Sequence, residues 1–163
     1  MKKVYFISGL GADKRAFSFL DLTFCEPIFI DWIKPVDNES LYQYAMRLKE
    51  QINEPSPTIV GVSFGGMLAT EIAKSDASAK VIIISSNKIK KEFPKILLIG
   101  KYIPLYKWIP STILKKAGAF RVRFFGPKGE NQKKIFNQIL KDTDTKFTKW
   151  AIHSILHWGN KIE

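Results

Sequence analysis

The sequence predicts an α/β domain built on a parallel β-sheet. Short apolar runs alternate with segments of helical periodicity, the runs are apolar on both faces, and the first two are closed by glycine or proline. Strands that are apolar throughout are typical of parallel sheets covered by helices on both sides, because a strand with one wet face alternates polar and apolar residues. The length of 163 residues fits a single domain.

The first predicted elements are two strands with a short helix between them. Residues 4–10 and 28–32 are β-branched and aromatic runs, which predicts buried strands. Residues 14–22 place Phe17, Leu20 and Leu22 among polar residues, which predicts a short helix.

The strongest helix signal covers residues 40–53, where apolar residues recur every three or four positions and Ser40 can cap the start. Residues 58–63 then predict a third strand, residues 64–74 a helix rich in small residues, and residues 80–86 a fourth strand. Because the fourth run is almost continuously apolar, we expect it at a central position of the sheet.

The character of the chain changes after Asn87. Strand signals stop, prolines punctuate short helical pieces, and residues 135–140 and 147–158 have the periodicity of amphipathic helices. We therefore expect residues 1–87 to form the sheet-containing core and residues 88–163 to form a helical cap or lid.

The net charge of +11 lies in the second half: residues 88–163 carry 17 Lys and Arg against 5 Asp and Glu. The lysines are spread among apolar residues instead of forming a block of five or six, which is typical of solvated helix faces, so no nucleic-acid partner is expected. No run approaches the roughly 20 apolar residues of a membrane span, so stable membrane insertion is not expected. The N-terminus lacks a signal-peptide cleavage site, which predicts a cytoplasmic protein, and Cys25 is expected to be a buried structural thiol.

The clearest motif is Gly61-Val62-Ser63-Phe64-Gly65-Gly66, a G-x-S-x-G pattern between a predicted strand and a predicted helix. This context presents a serine hydroxyl on a sharp turn at the carboxyl edge of the sheet, where side chains at the flanking glycines would collide with neighbouring elements. Ser63 is thus a candidate nucleophile. Gly61, Gly65 and Gly66 are expected to support its turn.

A second glycine-containing loop, Ser8-Gly9-Leu10-Gly11, follows the first strand. It is expected to face the serine turn, with Gly9 and Gly11 shaping it. The backbone amides of Leu10 and Phe64 are then the candidate pair of oxyanion donors, the latter helped by the positive end of the helix dipole.

The order of these elements and motifs resembles the α/β-hydrolase superfamily, in particular its small bacterial esterase-like members. The resemblance covers residues 3–87, and residues 88–158 resemble the helical cap of such enzymes only in kind. The first loop of these enzymes is often His-Gly-x-Gly, whereas this chain has Ser8 at the histidine position. The expected fold is a parallel-sheet α/β-hydrolase core with about four strands and a helical cap, lacking the family's C-terminal strands.

The resemblance also implies an acid and a histidine after the nucleophile, in that order. Neither is matched, since Asn87 stands at an alternative position for the acid and the only histidines are His153 and His157 on the last predicted helix. These two are expected to be helix-surface residues. Neither a metal site nor a cofactor is expected.

Three functions follow as expectations. The first is a serine hydrolase of esterase type, in which Ser63 attacks an ester, thioester or amide of a small apolar acyl compound. The second is a catalytically inactive fragment or pseudoenzyme of the same fold, since the acid and the base are not identifiable. The third is a basic module that binds membrane surfaces or nucleic acid. An uncovered sheet edge would also permit self-association.

Overall fold

The computed structural model describes residues 1–93, 108, 110 and 129–159. Four strands and four α-helices form its regular structure: β1 (Lys3–Ile7), β2 (Glu26–Phe29), α1 (Leu41–Lys49), β3 (Thr58–Val62), α2 (Phe64–Ser75), β4 (Lys80–Ile84), α3 (Glu130–Asp142) and α4 (Thr145–His157). Two short 3-10 helices lie at Lys14–Phe17 and Lys90–Glu92.

The strands form one parallel sheet in the order β2-β1-β3-β4. β1 lies between β2 and β3, and Phe6 is in register with Phe29 on one side and Val60 on the other. The predicted α/β class with a parallel sheet of about four strands is therefore confirmed. Because all strands run the same way, their carboxyl ends and the loops that follow meet at one edge.

The main core lies between the sheet and the helices α1 and α2. α1 begins at a capping box. The Gln43 backbone amide donates to the Ser40 hydroxyl at 3.2 Å, and the Ser40 backbone amide donates to Gln43 Oε1 at 2.9 Å. Its buried residues recur at helical spacing and are Leu41, Tyr44, Ala45 and Leu48. α2 is buried over most of its length, so it is the central helix of the domain.

The opposite face of the sheet has a smaller cluster of Val4, Phe6, Phe17 and Cys25. Cys25 is 3% exposed, as expected for a structural thiol. Val60 and Val62 of β3 pack against this cluster and are only partly buried. Toward β4, Ile82 is 54% and Ile84 is 47% exposed.

The predicted central position of the fourth strand is therefore wrong for the part of the sheet that the structure describes, where β4 is an edge strand. An apolar run indicates that both faces of a strand are apolar, but its place in the sheet depends on which other strands are present. Self-association through this edge stays a prediction.

Two other boundaries differ from expectation. Residues 14–22 form only the four-residue 3-10 helix, because Phe17 is buried whereas Leu20 is 56% exposed, so no continuous apolar stripe supports a longer helix. β2 ends at Phe29, so Trp32 lies in the segment after the strand, at the carboxyl edge of the sheet.

Residues 129–159 form the helices α3 and α4, close to the two helices expected there. The rest of the region expected to form a cap, residues 94–107, 109, 111–128 and 160–163, lies outside the described residues. Within the described part of the chain, no helix combines the length and apolar character that a membrane span requires.

Candidate active site

Ser63 lies at the turn between β3 and α2, at the carboxyl edge of the sheet. Its backbone has φ 52° and ψ −117°, a conformation that L-residues rarely adopt and that costs about 1–3 kcal/mol unless the surroundings impose it. The Ser63 amide donates to the Ile84 carbonyl at 2.8 Å, which continues the pairing of β3 with β4 into the turn. The side chain is exposed.

The glycines around Ser63 allow β3 and α2 to pack closely. A Cβ atom on Gly61 would lie 2.5 Å from the Gly65 carbonyl oxygen and 2.6 Å from Gly66 Cα. A Cβ atom on Gly65 would overlap the backbone carbonyls of Ile7 and Ser8 at the end of β1. The three backbone segments can therefore pack this closely only because glycine places no side chain between them.

The loop after β1 lies directly beside this turn. A Cβ atom on Gly9 would be 3.4 Å from Ser63 Cβ, and Gly11 has φ 74°, which a side chain would disfavour. The loop therefore reaches the serine as the sequence predicts.

Trp32 holds this loop in shape, and sequence reasoning missed it. Its indole N–H donates to the Ala12 carbonyl at 2.6 Å, and the same carbonyl accepts from the Ser8 hydroxyl at 2.9 Å. The Ala12 amide closes a turn onto the Gly9 carbonyl at 3.0 Å. The only sequence signal was a tryptophan at the end of a predicted strand, which does not distinguish a core residue from a residue that supports a loop.

Two backbone amides beside Ser63 have no acceptor in the part of the chain that the structure describes. Among the described residues, no carbonyl or side chain accepts a hydrogen bond from the amides of Leu10 or Phe64. Phe64 is the first residue of α2, where helical amides are left without intrahelical partners and the helix dipole is positive. Both amides are thus free to donate to a negatively charged oxygen.

A cavity of about 280 Å³ opens onto Ser63. Its remaining lining is Phe64, Met67, Ser85, Ser86, Asn87, Phe93, Ile152, Ile155 and Leu156. Helix α4 supplies the last three, so it forms part of the cavity wall beside the serine. Among the described residues, the lining contains no charged side chain, and most of its surface is apolar.

The two histidines lie elsewhere. His153 and His157 line a separate cavity of about 480 Å³ between α4, α2 and the start of α1. Their rings are 4.1 Å apart, and His157 Nδ1 is 2.8 Å from the His153 carbonyl oxygen. Since neither lines the Ser63 cavity, neither is placed to take the Ser63 proton in this structure.

Asn87 does line the Ser63 cavity, so the position that could have held an acid carries an amide. No Asp, Glu or His is among the described residues that line it. The described residues also contain no group of three potential metal ligands among His, Cys, Asp and Glu.

Helix α4 is attached to the core by aromatic packing. Phe147 lies 5.2 Å from Trp32 and 6.4 Å from Phe64, and Trp150 lies 4.5 Å from Tyr44, all measured between ring centres. Burial raises the pKa of Tyr44, whose hydroxyl donates to the Ile33 carbonyl at 2.9 Å, so this residue stays neutral. The helix that contributes to the wall of the Ser63 cavity is thereby continuous with the core.

The end of α4 is attached by a buried polar contact. The Trp158 indole N–H donates to Glu71 Oε1 at 2.6 Å, and Lys74 pairs with the same carboxylate at 2.8 Å. Glu71 is 2% exposed. Its charge is therefore balanced by two donors, as a buried carboxylate requires.

A charged cluster joins the loop after β1 to the end of α3. Arg15 pairs with Asp13 at 2.6 Å and with Asp142 at 2.8 Å. The hydrogen bond from Arg15 holds the pKa of Asp13 below its ordinary value. Next to this cluster, the Thr143 hydroxyl is 3.2 Å from the Gly11 carbonyl oxygen.

The sequence matches no protein-family model and no curated protein. Similar solved structures include a lipase-esterase related protein from Clostridium acetobutylicum ATCC 824, with 14% identity and a TM-score of 0.67. The bottromycin epimerase BotH, in complex with bottromycin A2, has 16% identity and a TM-score of 0.69. The epoxide hydrolase CorEH has 15% identity and a TM-score of 0.68.

These alignments include 97%, 96% and 96% of this chain and 67%, 65% and 67% of the respective structures. The chain thus spans about two thirds of the length of each. The chain therefore has the fold of the α/β-hydrolase superfamily.

Proposed function

We propose that the chain carries the nucleophile and oxyanion half of a serine hydrolase site, with Ser63 attacking the carbonyl carbon of an ester, thioester or amide. The single observation that carries the proposal is the Ser63 turn itself: an exposed hydroxyl at φ 52°, beside two amides that have no acceptor among the described residues. Strain of this kind persists only where the surroundings impose it, and it clusters at active sites.

The oxyanion donors of this proposal are the amides of Leu10 and Phe64. When the Ser63 oxygen bonds to the carbonyl carbon, the carbonyl oxygen becomes negatively charged, and donors already in place stabilise it without reorganisation. Loss of one such donor typically costs about 10²–10³ in rate. The glycines of both turns serve this arrangement by bringing the two loops into contact.

The substrate of this proposal is a small, uncharged, apolar acyl compound. The cavity at Ser63 holds about 280 Å³ and is lined mainly by aromatic and aliphatic side chains. A charged acyl group would lose its hydration there without gaining a partner among the described residues.

The described residues of this site do not provide a base for the Ser63 proton. A serine hydroxyl is a poor nucleophile unless a neighbouring base accepts its proton, and no imidazole or carboxylate is among the described residues lining the cavity. We therefore expect Ser63 to be acylated slowly by activated esters and to show little steady-state turnover. Loss of triad members typically lowers rates by about 10⁴–10⁶.

The test is hydrolysis of p-nitrophenyl acetate, butyrate and succinate by residues 1–163, compared with the Ser63→Ala variant. A slow release of p-nitrophenol that favours butyrate over succinate and disappears in the variant would support the proposal. Equal release by both proteins would refute a role for Ser63.

The second candidate function is binding without catalysis. The observation favouring it is Asn87 at the cavity wall, since this alternative position for the acid carries an amide, which cannot stabilise a positively charged histidine. In this case apolar acyl compounds would bind with equal affinity to the wild-type chain and to the Ser63→Ala variant, and neither protein would be acylated.

A further inference from the structure

Ser86 is the second residue after β4 and lies beside the Ser63 turn. Its hydroxyl donates a hydrogen bond of 2.6 Å to the Ser63 carbonyl oxygen, across 23 residues of sequence. The same oxygen accepts from the Gly66 amide at 2.9 Å as α2 begins. Both ends of Ser63 are therefore tied to the β4 segment, its amide through Ile84 and its carbonyl through Ser86.

This contact explains the third glycine of the motif, which the G-x-S-x-G pattern does not require. A Cβ atom on Gly66 would lie 2.5 Å from both Cβ and Oγ of Ser86. Only glycine at this position lets the Ser86 hydroxyl approach the turn. Gly66 and Ser86 thus form a matched pair across α2 and the end of β4.

The Ser63 carbonyl belongs to the same planar peptide group as the Phe64 amide. Because that group is rigid, a hydrogen bond that fixes the direction of the carbonyl also fixes the direction of the N–H at its other end. A donor on the carbonyl also polarises the peptide and strengthens the N–H as a donor in turn.

We propose that Ser86 is a positioning residue, whose hydroxyl holds the Ser63–Phe64 peptide so that the Phe64 N–H points at the oxyanion. This inference rests on the proposed function, since it assigns a support to one of its two donors. Ser86 does not touch the reacting atoms, and its own proton is committed to the Ser63 carbonyl.

The test compares Ser86→Ala with Ser78→Ala in the 163-residue chain. Ser78 is a matched control because its hydroxyl also makes one hydrogen bond of 2.6 Å, to Asp76 Oδ1, at the opposite end of β4. The first measurement is the rate of Ser63 acylation by p-nitrophenyl butyrate as a function of ester concentration, followed by mass spectrometry. The second is the carbonyl ¹³C resonance of Ser63 in labelled protein.

We expect Ser86→Ala to lower the saturating acylation rate about tenfold, a fraction of the loss from deleting a donor outright, with the half-saturating concentration unchanged. The Ser63 carbonyl resonance should move upfield as its hydrogen bond is lost. Ser86→Cys keeps the side-chain size but donates weakly, so it should fall between wild type and Ser86→Ala. Ser78→Ala should change neither measurement.

An acylation rate unchanged by Ser86→Ala would overturn the proposal, and so would a slower rate with an unmoved carbonyl resonance. A wild-type chain that is never acylated at Ser63 would instead refute the proposed function. The carbonyl resonance of Ser86→Ala alone would then decide whether Ser86 holds this peptide.

Discussion

Replacing Gly61 with alanine should disrupt the contact between β3 and α2 on which the Ser63 turn depends. The added Cβ atom would lie 2.5 Å from the Gly65 carbonyl oxygen and 2.6 Å from Gly66 Cα, whereas ordinary contacts begin near 3.4 Å. Both obstacles are backbone, so no side chain can rotate away. The start of α2 would have to move by about 0.9 Å, the difference between 3.4 and 2.5 Å.

Forcing extra atoms into a packed interior typically costs about 1–3 kcal/mol, and rigid backbone obstacles favour the upper end of this range. The lower entropy of the unfolded alanine chain returns about 0.4–1 kcal/mol. We therefore expect Gly61→Ala to lower the free energy of unfolding by about 2 kcal/mol net. A loss of this size is a large share of the free energy of unfolding of a typical domain, which is roughly 5–15 kcal/mol.

The assay is urea denaturation followed by tryptophan fluorescence, with Gly159→Ala as the matched control. A Cβ atom on Gly159 would meet nothing within 4 Å, so the control should unfold at nearly the wild-type midpoint. A difference of less than about 0.5 kcal/mol between the free energies of unfolding of Gly61→Ala and Gly159→Ala would be an ordinary surface effect. It would contradict the claim that the close approach at the turn requires glycine at position 61.

Three further changes test the supports of the site. Trp32→Phe removes the indole donor to the Ala12 carbonyl, so it should speed hydrogen exchange of the Ala12 amide, which closes the turn onto the Gly9 carbonyl, and cost about 1–2 kcal/mol in unfolding experiments. Glu71→Ala leaves the buried Trp158 N–H without its acceptor and should destabilise the chain by about 1–3 kcal/mol; Glu130→Ala, on an exposed ion pair, serves as its control. The Arg15 guanidinium lowers the pKa of Asp13, so the stability this pair contributes is complete above the ordinary pKa and is lost as the pH falls below about 4. The stability difference between wild type and Asp13→Asn should therefore narrow on acidification, and a gap that widens would contradict this assignment.

Much of the fold could be predicted because strand and helix signals alternate clearly in the first half. Apolar runs located the four strands of the described residues, and Ser40 marked the start of α1 correctly because its capping box is a local interaction. The position of β4 could not be predicted, since an exposed edge strand with Ile82 and Ile84 on its surface has the same local pattern as a buried one.

In the candidate site, too, some features could be predicted from the sequence and others could not. The position of Ser63 follows from glycine spacing between a strand and a helix, which is local information. Trp32 and Ser86 were missed because each acts on a loop at least 20 residues away, on Ala12 and Ser63 respectively. Long-range hydrogen bonds of this kind leave no periodicity in a single sequence.

The placement of the two histidines also required the structure. Their spacing put them on one face of a predicted helix, but the helix could have presented either face to Ser63. The observed packing turns Ile152, Ile155 and Leu156 toward the serine cavity and the histidines toward the other cavity.

The most direct test of the central claim is to identify the residue that an activated ester modifies. The 163-residue chain is incubated with p-nitrophenyl butyrate, digested and analysed by mass spectrometry, beside the Ser63→Ala variant. We predict a butyryl group that accumulates slowly on Ser63 and is absent from the variant. Butyrylation confined to lysines, or equal in both proteins, would contradict the account of Ser63 as a nucleophile, and rapid turnover abolished by Ser63→Ala would contradict the account of a site without its base.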